Sequence, residues 1–135
     1  MNEEFYYTSG LLHDVGKLLI PNALLDKSIA ISKEEQEILK NHSKWGAELL
    51  RILGLNEFSV IALLHHQDTP DLPLSVQIVA AADKYEAMTS LWRQYRKPVS
   101  PKEAIDELWN MGIFQPTVIE ALAIAQMELI TKKDN

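Results

Sequence analysis

The chain carries four histidines, in three clusters that recur along the chain with carboxylates. His13 precedes Asp14 in His13-Asp14-Val15-Gly16-Lys17, His42 stands inside a helical stretch, His65 and His66 are adjacent, and Asp83 closes the apolar run from Ile78 to Ala82. Imidazole and carboxylate are the mixed nitrogen and oxygen donors that first-row divalent cations accept. A carboxylate placed among apolar neighbours is costly unless it is paired or bound to a metal, which makes Asp83 a ligand candidate as well. Neighbouring side chains on a helix point about 100° apart, so His13-Asp14 and His65-His66 share a centre only if cations lie between the two directions. Two adjacent cations satisfy that condition. With Asp14 as the bridge, one takes His13 and Asp83, and the other takes His42, His65 and His66. Lys17, three residues beyond Asp14, is placed to reach a non-bridging phosphate oxygen.

These residues need a frame to hold them. At 135 residues and 47% hydrophobic content, the chain suits one core, and a single domain over residues 1–135 is expected. Thirteen basic against 19 acidic residues give a net charge of -6, which disfavours nucleic-acid duplexes and anionic membranes as partners and requires any phosphate ligand to be held locally. There is no cysteine, so disulfides and thiolate sites are excluded. Met1-Asn2-Glu3-Glu4 lacks the basic start and apolar stretch of a signal peptide, and no apolar run has the length of a membrane span, so the cytoplasm is the expected compartment.

Apolar spacing is helical almost throughout, which predicts an all-α bundle. A first helix is expected from about Glu3 to Leu18, stopped by Pro21. Ser32 and Glu35 form a capping box and Gly54 a stop, so Lys33 to Leu53 reads as one long helix, with Ile38, His42, Trp45, Leu49 and Ile52 on one stripe. Asn56 is placed to cap a helix that runs through His66, before a loop with two prolines. Further helices are expected from Ser75 to about Leu91, from Pro101 to Gly112 behind a Ser100/Glu103 capping box, and from Pro116 to about Thr131. Val118, Leu122, Ala125 and Leu129 would face the core of the last.

The ordered set resembles the HD superfamily of metal-dependent phosphohydrolases, and within it the HD-GYP domains. It comprises His-Asp-Val-Gly-Lys-x-x-Ile-Pro from His13 to Pro21, Asn41-His42, His65-His66, Ala82-Asp83 followed by Ala87-Met88-Thr89-Ser90, the basic segment Arg93 to Lys97, and Phe114-Gln115-Pro116. The resemblance implies an all-α domain with two or three metal ions, often iron or manganese, that hydrolyses cyclic di-GMP or related cyclic dinucleotides. It implies His13, Asp14, His42, His65, His66 and Asp83 as metal ligands, Lys17 as a phosphate contact, and Arg93, Tyr95, Arg96 and Lys97 as a substrate-binding segment. The sequence departs from the pattern in four places. The loop Gln67 to Pro73 is short and lacks the Gly-Tyr-Pro element, one extra residue lies between Asp83 and the basic segment, and Gln115 stands where an aspartate is usual. The family's upstream helix with a further ligand is not found before His13, so water, another chain such as a homodimer partner, or an upstream segment or regulatory domain is expected to complete the site, and one of the two metals would be held less tightly.

The expected activity is a phosphodiesterase or phosphohydrolase acting on a nucleotide through a binuclear His/Asp site with a metal-bridging hydroxide, Asp14 and Lys17 being the catalytic residues. The alternative is a degenerate, non-catalytic signalling or adaptor module of the same fold.

Overall fold

The computed structural model describes residues 2–25, 31–91 and 97–133, and every regular element among them is helical, as the apolar spacing predicts. The chain divides into two compact units, Met1–Gln67 and Asp68–Asn135.

The first unit begins with α1, Glu3–Leu12, whose N-terminus is capped by the Asn2 side chain. The expected helix to Leu18 is not formed. Asp14 leaves the helical region at φ -104°, ψ 14°, and a 3₁₀ turn, Val15–Leu19, follows it. The reason is a close approach. Gly16 is buried against α4, and the tighter turn is what delivers its backbone there. The short helix α2 spans Asn22–Leu25.

The single helix expected from Lys33 to Leu53 is also divided, into α3, Lys33–Lys40, and α4, His42–Ile52. Ser32 caps α3 through the amide of Glu35, as the capping box predicts. At Asn41 the backbone amide is shared among carbonyls three and four residues back, a local tightening that rotates the faces beyond it. The expected stripe is therefore corrected. Ile38 and Ile52 are exposed, whereas the buried face of α4 is His42, Ser43, Gly46, Ala47 and Leu50. Gly54 ends this segment at φ 78°, in the left-handed region.

Helix α5, Asn56–Leu64, starts at Asn56 rather than being capped by it, and stops just before the histidine pair. Ala47, Leu50 and Ala62 form the small core of this unit, with Leu12, Val15 and Phe58 packed on it. Phe5 stacks on Phe58 at 5.3 Å, which ties α1 to α5.

The second unit contains α6, Leu74–Thr89, α7, Pro101–Met111, and α8, Pro116–Lys133, close to the expected bounds. Ser100 caps α7 and Gly112 terminates it at φ 68°. Ala80, Ala81, Met88, Ala104, Leu108, Phe114, Val118 and Ile119 make its core. Buried Gln77 pins two loops, donating from Nε2 to the Leu72 carbonyl at 2.9 Å and accepting from the Gln115 amide at 2.8 Å. Leu122 packs on the core as expected, but Ala125 and Leu129 are exposed, because the core contacts of α8 come from its first turns. No helix among the described residues is long and apolar enough to cross a membrane.

Leu50 lies two turns from His42 on the buried face of α4 and is 1% exposed. Leu50→Ala is expected to destabilise the protein by about 2–5 kcal/mol, read as a lowered urea midpoint with an unchanged slope.

Candidate metal centre

Four of the expected ligands converge in the first unit. Asp14, His42, His65 and His66 each offer one ligand atom, and these atoms all lie within 4.8 Å of one another. They come from three separate places. Asp14 sits in the turn after α1, His42 at the first position of α4, and His65-His66 immediately after α5. Helix ends suit this purpose, because a residue there projects along the axis toward a point that several helices can share.

The three most enclosed imidazoles are fixed in the same way. Nδ1 of His13 contacts the Gly10 carbonyl at 2.6 Å, Nδ1 of His42 the Leu39 carbonyl at 2.5 Å, and Nδ1 of His65 the Ala62 carbonyl at 2.8 Å. A carbonyl can only accept, so in each ring Nδ1 carries the proton and donates it. In the neutral ring Nε2 is then a bare lone pair. This is the outer-sphere arrangement that orients a metal-binding histidine and selects its tautomer.

All three Nε2 atoms face Asp14. Oδ1 lies 3.1 Å from His42 Nε2 and 3.3 Å from His65 Nε2, and Oδ2 lies 3.2 Å from His13 Nε2. Those distances are short, yet Asp14 Oδ1, His42 Nε2 and His65 Nε2 are buried without a hydrogen-bond partner. Lone pairs crowded in this way repel unless a cation sits among them, which is the fit expected of a metal site. Burial alone would raise the pKa of Asp14. The close pairing of its oxygens with the imidazoles of His13, His42 and His65 outweighs that and holds the carboxyl well below the usual range. Asp14 is therefore an anion at neutral pH.

Lys17 approaches the same carboxylate from outside, with Nζ 3.1 Å from Oδ2. It does so from the 3₁₀ turn rather than from a continuing helix. His66 is the most exposed member, its ring 4.0 Å from that of His65 and 4.9 Å from that of His42. Asp83 stands on α6 in the second unit, half-buried. Of the expected substrate-binding segment, Lys97 is exposed, while Arg93, Tyr95 and Arg96 fall outside the described residues.

Two glycines outside the expected ligand set hold this geometry. A methyl group at Gly16 would collide with the His42 carbonyl oxygen and lie 2.7 Å from the Gly46 amide nitrogen, and one at Gly46 would lie 3.0 Å from the Gly16 nitrogen. The turn bearing Asp14 thus crosses α4 backbone to backbone. The signal was present in the spacing, since Gly16 follows Asp14 by two residues and Gly46 follows His42 by one helical turn.

Comparison with known proteins adds the lineage. The HD domain family matches residues 1–88, which contain all of His13, Asp14, Lys17, His42, His65, His66 and Asp83. The chain belongs to the HD domain family. Among curated HD relatives, it is 34% identical over 136 residues to a cyclic di-GMP phosphodiesterase of Thermotoga maritima, covering 87% of this chain and 36% of that one. It is 32% identical over 148 residues to a cyclic di-GMP phosphodiesterase of Vibrio cholerae, covering 94% of this chain and 30% of the other. A 3'3'-cGAMP-specific phosphodiesterase of Vibrio cholerae is 30% identical over 127 residues, covering 82% and 24%. The HD chain spans about a third of the length of the first two of these relatives.

Gly16→Ala is expected to separate Asp14 from His42 and to weaken manganese binding, titrated by calorimetry, by roughly 10–100-fold, the range seen when groups that orient metal ligands are disturbed. Gly10→Ala is the control, because a methyl group there meets nothing within 4 Å and the carbonyl that receives His13 is kept.

Proposed function

We propose that this chain is a metal-dependent phosphodiesterase acting on a nucleotide, with cyclic di-GMP or a related cyclic dinucleotide as substrate. The observation that carries the proposal is the set of unpartnered atoms, Asp14 Oδ1, His42 Nε2 and His65 Nε2, buried face to face. The names of the HD relatives support the substrate class.

In this proposal His13, Asp14, His42, His65 and His66 are metal ligands, and Asp83 joins them on the strength of the sequence pattern. Iron or manganese suits such nitrogen and oxygen donors, in two positions of unequal strength. Bound there, the ions supply Lewis acidity toward phosphoryl oxygens and a water that is nucleophilic at neutral pH.

The chain's own residues do the rest. Asp14, held as an anion, faces the imidazoles of His13, His42 and His65 together, so it would hold bound ions jointly with them. The backbone carbonyls of Gly10, Leu39 and Ala62 keep those rings from turning, so no reorganisation is needed as charge develops. Lys17 places an ammonium beside Asp14, about a third exposed, where a phosphate oxygen approaching from solvent meets it. Arg93, Tyr95, Arg96 and Lys97 are proposed as further substrate contacts on the basis of sequence. The cytoplasm is the proposed compartment, and a homodimer or an attached regulatory domain is the proposed partner.

The test is hydrolysis of cyclic di-GMP and of bis(4-nitrophenyl) phosphate by protein loaded anaerobically with iron or manganese. Asp14→Ala is expected to abolish metal-dependent turnover, and Lys17→Ala to lower kcat by roughly 10–100-fold with metal content unchanged, the scale of one electrostatic contact to the transition state. Chelation with EDTA should remove turnover, and added metal restore it. Wild-type protein that binds metal but turns over neither substrate faster than Asp14→Ala would instead be the non-catalytic signalling module.

A further inference from the structure

Beside the metal-ligand cluster, on the side of α4 and α5, lies a cavity of about 490 Å³. Its size falls within the roughly 300–1,000 Å³ of small-molecule sites. Two of its lining residues, His42 and His66, also belong to the ligand cluster, so the cavity borders the proposed reaction centre directly. Leu39 and Leu63 give it apolar walls from two different helices, and Lys40 and Gln67 add polar groups. The remaining lining residue is Ser43. It is 8% exposed, and its buried hydroxyl has no hydrogen-bond partner among the described residues.

An unsatisfied hydroxyl is costly in a buried position, and nothing in the protein's fold requires it. Ser43 makes no cap and no bond to a neighbouring helix, and an alanine would fill the same space. A ligand that brings a polar edge between apolar faces accounts for it. The choice of a nucleotide as that ligand rests on the phosphodiesterase proposal. A nucleotide whose phosphate lies at the ligand cluster carries its base a few ångströms away, and a base is flat, apolar on both faces and polar along its rim.

We infer that this cavity receives a purine base of the substrate, packed between Leu39 and Leu63, with Ser43 and Gln67 hydrogen-bonding its edge. Ser43 and Leu63 are then specificity-determining residues, and they discriminate ligands by what is attached to the phosphate rather than by the phosphate itself. Lys40, which only donates, favours an edge that presents acceptors.

The test separates base from phosphate and needs no turnover. Manganese-loaded protein is titrated with guanosine 5'-monophosphate and with ribose 5-phosphate, neither of which is a phosphodiester, and the ratio of the two affinities is the readout, since the shared phosphate cancels. The wild type is expected to prefer the nucleotide by about tenfold or more, the scale of one or two hydrogen bonds with apolar burial. Leu63→Trp, at a 44% exposed position where the larger ring is accommodated, fills the cavity and should bring the ratio close to one. Ser43→Ala should lower it about threefold or more. Circular dichroism establishes that both variants are folded. A ratio near one in the wild type, or a preference that neither substitution moves, overturns the inference. Failure of the phosphodiesterase proposal is read separately, as absent turnover by the metal-loaded wild type, and leaves this ratio measurable.

Discussion

The first unit is organised around a repulsion. Asp14 is an anion, and the nitrogen atoms that face it have their other ring position committed to backbone carbonyls, so the cluster gathers electron pairs and lacks a positive charge of its own. Lys17 offsets part of this from one side, at Oδ2, but Oδ1 and the Nε2 atoms of His42 and His65 remain buried and unpartnered. A fold built only for stability would replace them with apolar groups of similar shape at little cost or with a gain. Their retention in the interior is understood if the missing charge arrives as a cation.

That requirement explains the breaks in the helices. A continuous helix through Asp14 would point His13 and Asp14 in divergent directions and leave Gly16 away from α4; the 3₁₀ turn instead seats Gly16 on the His42 carbonyl. The kink at Asn41 rotates α4 so that His42, Gly46 and Leu50 form its inner face, joining a candidate ligand, a backbone contact and a core residue on one line. The end of α5 frees His65 and His66 from the helix, although the Ile61 and Ala62 carbonyls still hold the His65 ring. Each irregularity coincides with a candidate ligand, as expected where local regularity yields to a site.

What the sequence could disclose follows from the same contrast. Capping signals at Ser32 and Ser100, the glycine stops at Gly54 and Gly112, and the proline at position 116 act locally, through the backbone of a few neighbours, and they were legible. The candidate ligand types were visible in the sequence too, and the structure brings Asp14, His42, His65 and His66 within 4.8 Å of one another. The break at Asn41 was not, because no proline or glycine marks it and it arises from packing at a distance. The inner face of α4 departs from the expected stripe for that reason, and Ile38 and Ile52 are exposed. The exposure of Ala125 and Leu129 was hidden as well, because periodicity reports which face of a helix is apolar and not how far along it a partner extends. The Nδ1 bonds and the unpartnered Ser43 hydroxyl leave no trace in residue order, and only coordinates disclose them.

The overall charge bears on what such a site can accept. At -6 the chain repels polyanions at a distance, so attraction to a phosphate would have to come from the cluster and the ions proposed there, over a few ångströms. A long nucleic acid would place many phosphates outside that range, against a surface of the same sign. A small nucleotide places few, and its remaining affinity must then come from uncharged parts of the molecule. Charge alone would also leave the centre indifferent among phosphodiesters, since every one presents the same oxygens. Selectivity therefore has to be located in contacts beyond the ions, on apolar and hydrogen-bonding groups within a nucleoside's reach of Asp14.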